Sequence, residues 1–382
     1  MEKTKKDKRQ DFLLKLLIPF VRIWMFFDTK TKYVYDESFD RKRDEPYVLL
    51  ANHTFVFDVV HVPLNLKKIP FIVAQHNLFT KQPLKFLLEE VAHAIPKSKG
   101  ASDIRAAKML IGAAKRGYPI CIFPEGNTTF NGETNYIEES TMKLIKKLKI
   151  DVVGVLIQGG YLSKPRWATS KRKNRRAKLT YKVIIKKEDL KNMSLQEISE
   201  KVNSELYNND YEYQKEVMIP HPGKNKAEGL ENVLYICPEC EMISTLHTKG
   251  NKISCSHCHT EGTVNDYGFI EGFRFDNTVD WDNWQRQFDD ELKNLVFESQ
   301  AKIYDVNDET LSRNYLGKVI IKYQDLAFHL TGAINDSIKL EDIKNPTITL
   351  RRNFNIYVDG KHYLAKIDEF VTSFLRVAQS KY

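Results

Sequence analysis

Cysteine is scarce: there are five in 382 residues, and four of them sit in two tight pairs. That pattern excludes the spread disulfide framework of a small secreted domain and points to a reducing compartment. No secretory leader is expected, because residues 1–10 are polar and mostly basic and no cleavage site follows the apolar run after them. That run, residues 11–27, is shorter than the ~20 apolar residues a spanning helix needs. It also carries Lys15, Pro19 and Arg22. There is no internal repeat and no low-complexity tract. Hydrophobic residues make up 42% and charged residues 29%, so wholesale disorder is excluded and a buried core is expected. A length of 382 residues predicts two or three domains.

The chain is basic, with a formal charge of +9 and a pI near 9.0. An excess of this size favours an anionic partner: phosphate, a lipid surface or nucleic acid. The run at 11–27 reads as a helix lying in a membrane interface, with Trp24 at headgroup depth and a basic flank before it. The competing reading is a first helix packed on the protein core.

Residues 46–190 alternate short apolar or β-branched runs (47–51, 70–74, 118–123, 152–157, 179–185) with helical patterns. One helix is expected to start at an N-cap, Ser102, to present Ile104, Ala107, Leu110, Ile111 and Ala114, and to stop at Gly117. The alternation predicts an α/β layer architecture over residues 31–210, preceded by the interfacial helix at 1–30. Residues 210–232 read as a polar linker. A cysteine module follows at 233–270. From 278 to 382 there is a Trp281/Trp284 segment, with strand candidates at 318–323, 347–350 and 354–358. A terminal helix is expected to carry Ile367, Phe370, Val371 and Phe374 on one side. This last part suits an α+β roll like a pleckstrin-homology domain.

Two stretches carry the candidate chemistry. The first is Asn52-His53-Thr54-Phe55-Val56-Phe57-Asp58, directly after the strand at 47–51. On a straight helix His53 and Asp58 would point ~140° apart. With His53 in a strand-to-helix turn and Asp58 in the first helical turn they can meet, and an imidazole oriented by a carboxylate is a general base. A lone His-x4-Asp is a common accident, so it needs support elsewhere. The second stretch is Phe123-Pro124-Glu125-Gly126-Asn127-Thr128-Thr129, after the strand at 118–123. Pro124 ends the strand, Gly126 permits close backbone approach to a ligand, and the residues that follow supply donors. Glu125 fits an acceptor for a substrate hydroxyl or a partner for a cation. Cys121, inside an apolar strand, reads as inert core rather than a nucleophile.

Together, Asn-His-x4-Asp after one strand and Phe-Pro-Glu-Gly about 70 residues later after another resemble the glycerol-phosphate acyltransferase family, specifically the PlsC-like 1-acylglycerol-3-phosphate acyltransferases. The resemblance covers roughly residues 10–200. It implies that His53 is the base that activates an acceptor hydroxyl against an acyl thioester (acyl-CoA or acyl carrier protein), with Asp58 orienting it. It places Glu125, Gly126, Asn127 and Thr128 in the glycerol-phosphate site. The family's Thr-Arg-Ser after the glycine is here Asn127-Thr128-Thr129, and its Ile-x-Arg is Ile95-Pro96-Lys97. Lys97, Lys99 or Arg105 is therefore expected to supply the phosphate-binding charge. The family's Val-Pro-Val block appears as Val153-Gly154-Val155. The implied setting is phospholipid synthesis at the cytoplasmic face of the membrane, with no organic cofactor.

Cys237-Pro-Glu-Cys240 and Cys255-Ser-His-Cys258, separated by fourteen residues, have the spacing of a zinc ribbon: four thiolates on two knuckles and a closed, structural site. A redox dithiol is the lesser alternative. The basic run at 164–178 contains Lys164, Arg166, Lys171, Arg172, Lys173, Arg175, Arg176 and Lys178. It is expected to lie on anionic lipid headgroups, or else to be a solvated loop. The rival function is a non-catalytic zinc-ribbon adaptor that binds anionic lipid or nucleic acid through this surface. Nucleic acid is disfavoured because no stacking-aromatic pattern accompanies the run.

Overall fold

The computed structural model describes residues 2–79, 82–97, 104–137, 139–307 and 312–380. The chain divides into two compact units. One comprises residues 1–163 and 174–217; the other comprises residues 164–173 and 218–382.

The first unit opens with helix α1 (Lys5–Asp28) and strand β1 (Lys30–Tyr35). It continues β2 (Val48–Ala51), α2 (Asp58–His61), β3 (Phe71–Gln75), α3 (Leu84–Phe86), β4 (Ala94–Lys97), α4 (Ile104–Lys115), β5 (Ile120–Ile122), α5 (Glu139–Leu148), β6 (Val152–Gln158) and α6 (Gly160–Ser163). After the excursion into the second unit come β7 (Arg176–Ile185), α7 (Lys187–Leu190), α8 (Leu195–Leu206) and α9 (Asp210–Val217). The seven strands lie in the order β1-β7-β6-β2-β5-β3-β4. Strands β6, β2, β5, β3 and β4 run parallel, and β7 is antiparallel to β6.

The central strand β2 is Val-Leu-Leu-Ala, fully buried, as a parallel strand covered on both faces must be. Val48 and Leu50 join one apolar cluster with Leu110, Met142, Ile145, Ile198 and Val202. Leu49 and Ala51 join another, with Phe39, Phe55 and Tyr181. The period of two along the strand thus feeds both layers. The C-terminal ends of β2, β3, β4, β5 and β6 share one edge, where side chains leave the sheet for solvent.

Most of the expected elements are present. Strands β1 and β4 are additions to them; Lys30–Tyr35 and Ala94–Lys97 lack a clear apolar run. Helix α4 presents buried Ala106, Leu110, Ala113 and Ala114, and Gly117 ends it at φ +83. The expected N-cap Ser102, like Lys99, lies outside the described residues.

Helix α1 is apolar on more than one side. Leu14, Ile18 and Val21 are half-buried and Met25 is fully buried, so this row faces inward. At its ends polar groups tie it down: Gln10 donates to the carbonyls of Glu89 and Ala92, Asp7 pairs with Arg116 at 2.8 Å, and Asp28 with Arg175 at 2.9 Å. Phe12, Leu16, Phe20, Ile23 and Phe27, at spacings of three and four, form a second stripe that is exposed, Phe20 by 70% and Phe27 by 78%. Among the described residues, no helix is long and apolar enough to cross a membrane.

The second unit contains a four-stranded ribbon of β8 (Leu246–Lys249), β9 (Lys252–Cys255), β10 (Glu261–Val264) and β11 (Ile270–Glu271), followed by α10 (Thr278–Gln285). A seven-stranded antiparallel sheet follows: β12 (Phe297–Val306), β13 (Arg313–Gln324), β14 (Ala327–Gly332), β15 (Asp336–Lys339), β16 (Lys344–Thr349), β17 (Asn353–Val358) and β18 (Lys361–Ile367). Helix α11 (Val371–Gln379) completes it. The order is β15-β14-β13-β12-β18-β17-β16, an α+β arrangement in which first and last strands pair. Phe374 of α11 is fully buried against Phe297 and Phe328. Ile367, expected on the terminal helix, instead ends β18; the chain turns at Phe370, φ +58, before α11 begins.

Residues 210–232 are not a linker. Asp210–Val217 is helical, and Asp210 is buried, its carboxylate accepting from the N–H groups of Gly159 and Tyr161. His221, Lys226, Leu230 and Asn232 are buried in the second unit. Nor is 164–178 a free basic loop. Arg166 donates to the carbonyls of Ile348 (2.6 Å) and Leu350 (2.7 Å), Arg172 lies over the buried Trp167 ring, and Arg175 pairs with Asp28. Lys171, Lys173 and Arg176 are exposed.

Candidate active site and metal centre

The site is built at the C-terminal end of β2. Asn52, the first residue beyond the strand, uses its side chain as an extra rung of the β2–β6 pairing. It donates to the Ile157 carbonyl (2.9 Å) and accepts from the Ile157 N–H (2.7 Å). This buried amide fixes where the chain leaves the sheet. In the sequence Asn52 marks the end of a strand, with no sign of this bridge.

His53 follows in the turn and Asp58 opens α2, the arrangement that allows contact. His53 Nδ1 lies 2.8 Å from Asp58 Oδ2, and the same oxygen accepts from the N–H of Thr54 (2.9 Å) and of Phe55 (3.3 Å). Asp58 is fully buried, so these three protein donors take the place of water around that oxygen. With Nδ1–H donated to this carboxylate, Nε2 is the nitrogen left to take a proton. The His53 side chain is 16% exposed, so a substrate can reach it.

The second motif packs directly on the first. The Phe123 and His53 ring centroids lie 4.7 Å apart. The His53 main chain is held on both sides by the loop after β5: its N–H donates to Glu125 Oε1 (2.6 Å), and its carbonyl accepts from the Thr129 N–H (2.8 Å). Glu125 Oε2 accepts from the Asn135 N–H (2.7 Å) and Asn135 Nδ2 (2.9 Å). Burial pushes the Glu125 carboxyl up to about 7, against the pull of these donors. Gly126 has φ +71 and open space where a Cβ would stand, which suits a loop that a ligand approaches.

Asn127 Oδ1 lies 3.5 Å from Gln75 Nε2 at the end of β3, and Gln75 is the register partner of Lys97 at the end of β4. Lys97 therefore emerges on the same sheet edge, two strands from the Phe123 loop. Arg105 stands in the first turn of α4. It lines a groove of about 610 Å³ along α4 with Phe71, Ile95, Lys108, Met109 and Arg116. Cys121 is fully buried in β5 and burial raises its thiol pKa far above neutrality, which disqualifies it as a nucleophile.

Beside the dyad stands His61, a residue the motifs do not single out. It is buried, and its Nδ1 lies 3.0 Å from the Tyr33 hydroxyl and 3.2 Å from that of Thr31; desolvation lowers it to about 4, so the ring is neutral. A second histidine in an apolar helical turn gives no sequence signal.

In the second unit, Cys237, Cys240, Cys255 and Cys258 bring their sulfurs within 4.8 Å of one another. Two cross-knuckle pairs, Cys237–Cys258 and Cys240–Cys255, lie at 3.8 Å. A tetrahedron with metal–sulfur bonds of about 2.3 Å has edges of about 3.8 Å, and a disulfide would need about 2.05 Å. The four thiols thus fit a metal ion and not a disulfide pair.

The acyltransferase family model matches residues 32–158. No curated protein matches the sequence significantly. Among solved structures, the 1-acyl-sn-glycerophosphate (LPA) acyltransferase PlsC from Thermotoga maritima is similar at 17% identity, with 58% of this chain and 86% of that chain covered and a TM-score of 0.42. The region that matches the acyltransferase family model spans both the His53–Asp58 pair and the Phe123–Gly126 loop.

Proposed function

We propose that the protein is a membrane-associated O-acyltransferase that moves a fatty acyl group from an acyl thioester to the free hydroxyl of a lysophosphatidate-type glycerol phosphate. The observation that carries this reading is the His53 Nδ1–Asp58 Oδ2 contact of 2.8 Å, which leaves Nε2 free at a solvent-reachable edge. Nε2 takes the acceptor's hydroxyl proton as its oxygen attacks the thioester carbonyl. Asp58 stabilises the resulting imidazolium. The tetrahedral intermediate collapses with cleavage of the carbon–sulfur bond, and the imidazolium returns the proton to the departing thiolate. Asn127, Thr128 and the open backbone at Gly126 line the acceptor's approach, and Lys97 is the cation on that edge suited to its phosphate.

The exposed stripe of α1 supports docking at the cytoplasmic membrane face. A helix apolar on both sides is stable when both are covered, and here the protein covers one. The four-cysteine cluster suits zinc, held by Cys237, Cys240, Cys255 and Cys258 as a closed structural site. The test is to offer purified protein acyl-CoA and acyl carrier protein donors with glycerol 3-phosphate and a set of lysolipids, then identify the product lipid by mass spectrometry. Transfer to lysophosphatidate supports the reading; hydrolysis only, or transfer to none of these acceptors, overturns it.

A further inference from the structure

Glu125 is the acidic residue of the loop, where a hydroxyl-bearing acceptor would be expected to find its ligand. Its surroundings argue otherwise. The side chain is buried, and each carboxylate oxygen already accepts from the protein: Oε1 from the His53 N–H at 2.6 Å, and Oε2 from the Asn135 N–H and Nδ2 at 2.7 and 2.9 Å. Charge-assisted bonds of this length to backbone donors are strong and directional. With the Thr129 N–H bound to the His53 carbonyl at 2.8 Å, the loop grips the peptide units on both sides of the base's Cα.

Resting on the acyl-transfer reading of His53, we propose that Glu125 is a positioning residue. It anchors the backbone of the catalytic histidine, and with it the aim of Nε2, instead of binding the acceptor. Asn135, from the loop before α5, completes the anchor by holding the other carboxylate oxygen.

The anchor has an acid limit. Ionised, Glu125 is an acceptor at both oxygens; protonated, one oxygen carries an O–H that faces N–H donors and the charge-assisted bonds are lost. Burial raises the Glu125 pKa to about 7, opposed by the Asn135 and His53 bonds. The titratable side chain facing it is His53, from the turn after β2; the 131–137 loop presents the neutral Asn135. Protonating Glu125 therefore loosens the anchor and lowers kcat, which steepens the acid limb of activity.

The experiment is steady-state kinetics with varied acceptor at saturating donor, across pH, on wild type, Glu125→Gln, Asn135→Ala and His53→Ala. Gln keeps an acceptor for the His53 N–H but sets its NH2 against the Asn135 donors. Glu125→Gln is expected to lower kcat by roughly 10²-fold, leave acceptor KM within about threefold, and make the acid limb shallower. Asn135→Ala removes one bond to the charged carboxylate, so the acid limb moves to higher pH. An acceptor KM raised more than about tenfold with kcat intact in Glu125→Gln would show an acceptor ligand and overturn the proposal. Should Glu125→Gln fail to fold, as judged by circular dichroism, an unmoved acid limb in Asn135→Ala overturns it alone. The parent reading is tested separately: if His53→Ala retains transfer, the dyad itself falls, whereas loss in His53→Ala with a pure KM effect in Glu125→Gln refutes only the role given to Glu125.

Discussion

Asp58 Oδ2 accepts from three donors at once: His53 Nδ1, the Thr54 N–H and the Phe55 N–H. The carboxylate that orients the imidazole also closes the turn that carries it. His53 is held at its ring by Asp58 and at its main chain by the loop after β5. Replacing Asp58 by Asn keeps the shape of the turn. The amide oxygen then takes the place of Oδ2 for all three donors, and what is lost is the negative charge that stabilises the imidazolium. Asp58→Asn is expected to lower kcat by about 10³–10⁴-fold with little change in stability, measured by initial rates beside thermal unfolding.

The Asn52 bridge predicts a coupled effect. Asn52→Ala leaves the buried N–H and carbonyl of Ile157 without their side-chain partner. The expected cost is about 2–4 kcal/mol in urea unfolding, with a lower kcat because His53 is the next residue. A variant with full stability would show that water replaces the amide.

The exposed stripe of α1 predicts a substitution that spares folding and removes docking. Phe20 and Phe27 are 70% and 78% exposed, so Phe20→Glu with Phe27→Glu should change stability by no more than about 0.5 kcal/mol per site. Flotation with anionic phospholipid vesicles should fall by roughly 10²-fold or more, since burying each ring is worth about 1.5–3 kcal/mol. Unchanged flotation would mean another surface holds the membrane.

The four-sulfur cluster predicts about one zinc per chain in reduced protein, by elemental analysis. Cys255→Ser is expected to lose that zinc and to destabilise the second unit, whose ribbon strand β9 ends at this residue. Metal-free wild-type protein with an unchanged unfolding transition would contradict a structural zinc.

Much of the candidate site is legible in the sequence because its grammar is local. A short apolar strand that stops at Asn52, and another that stops at Pro124, announce where side chains leave the sheet. The cysteine spacing is equally self-contained. Features made by long-range pairing are not legible. Strand β1 is too polar to announce itself and forms because β7 offers it a parallel edge. The run at 164–178 looks like free positive charge. In the fold, Arg166 and Arg175 are taken up by carbonyls and a carboxylate far away in sequence. Glu125 reads by its charge as a ligand group, yet its partners, His53 and Asn135, lie 72 and 10 residues away. The helix Asp210–Val217 is hidden by its polar composition, and the buried Asp210 that fixes it has partners some 50 residues earlier.

The central claim is that His53 Nε2 takes the acceptor's proton during acyl transfer. Its most direct test follows labelled acyl groups from the thioester into lysophosphatidate, comparing wild type with a folded His53→Ala variant at saturating donor. The predicted result is labelled phosphatidate from wild type and a rate lower by about 10³-fold or more in the variant, with the donor still bound. Equal rates from the two proteins would contradict it.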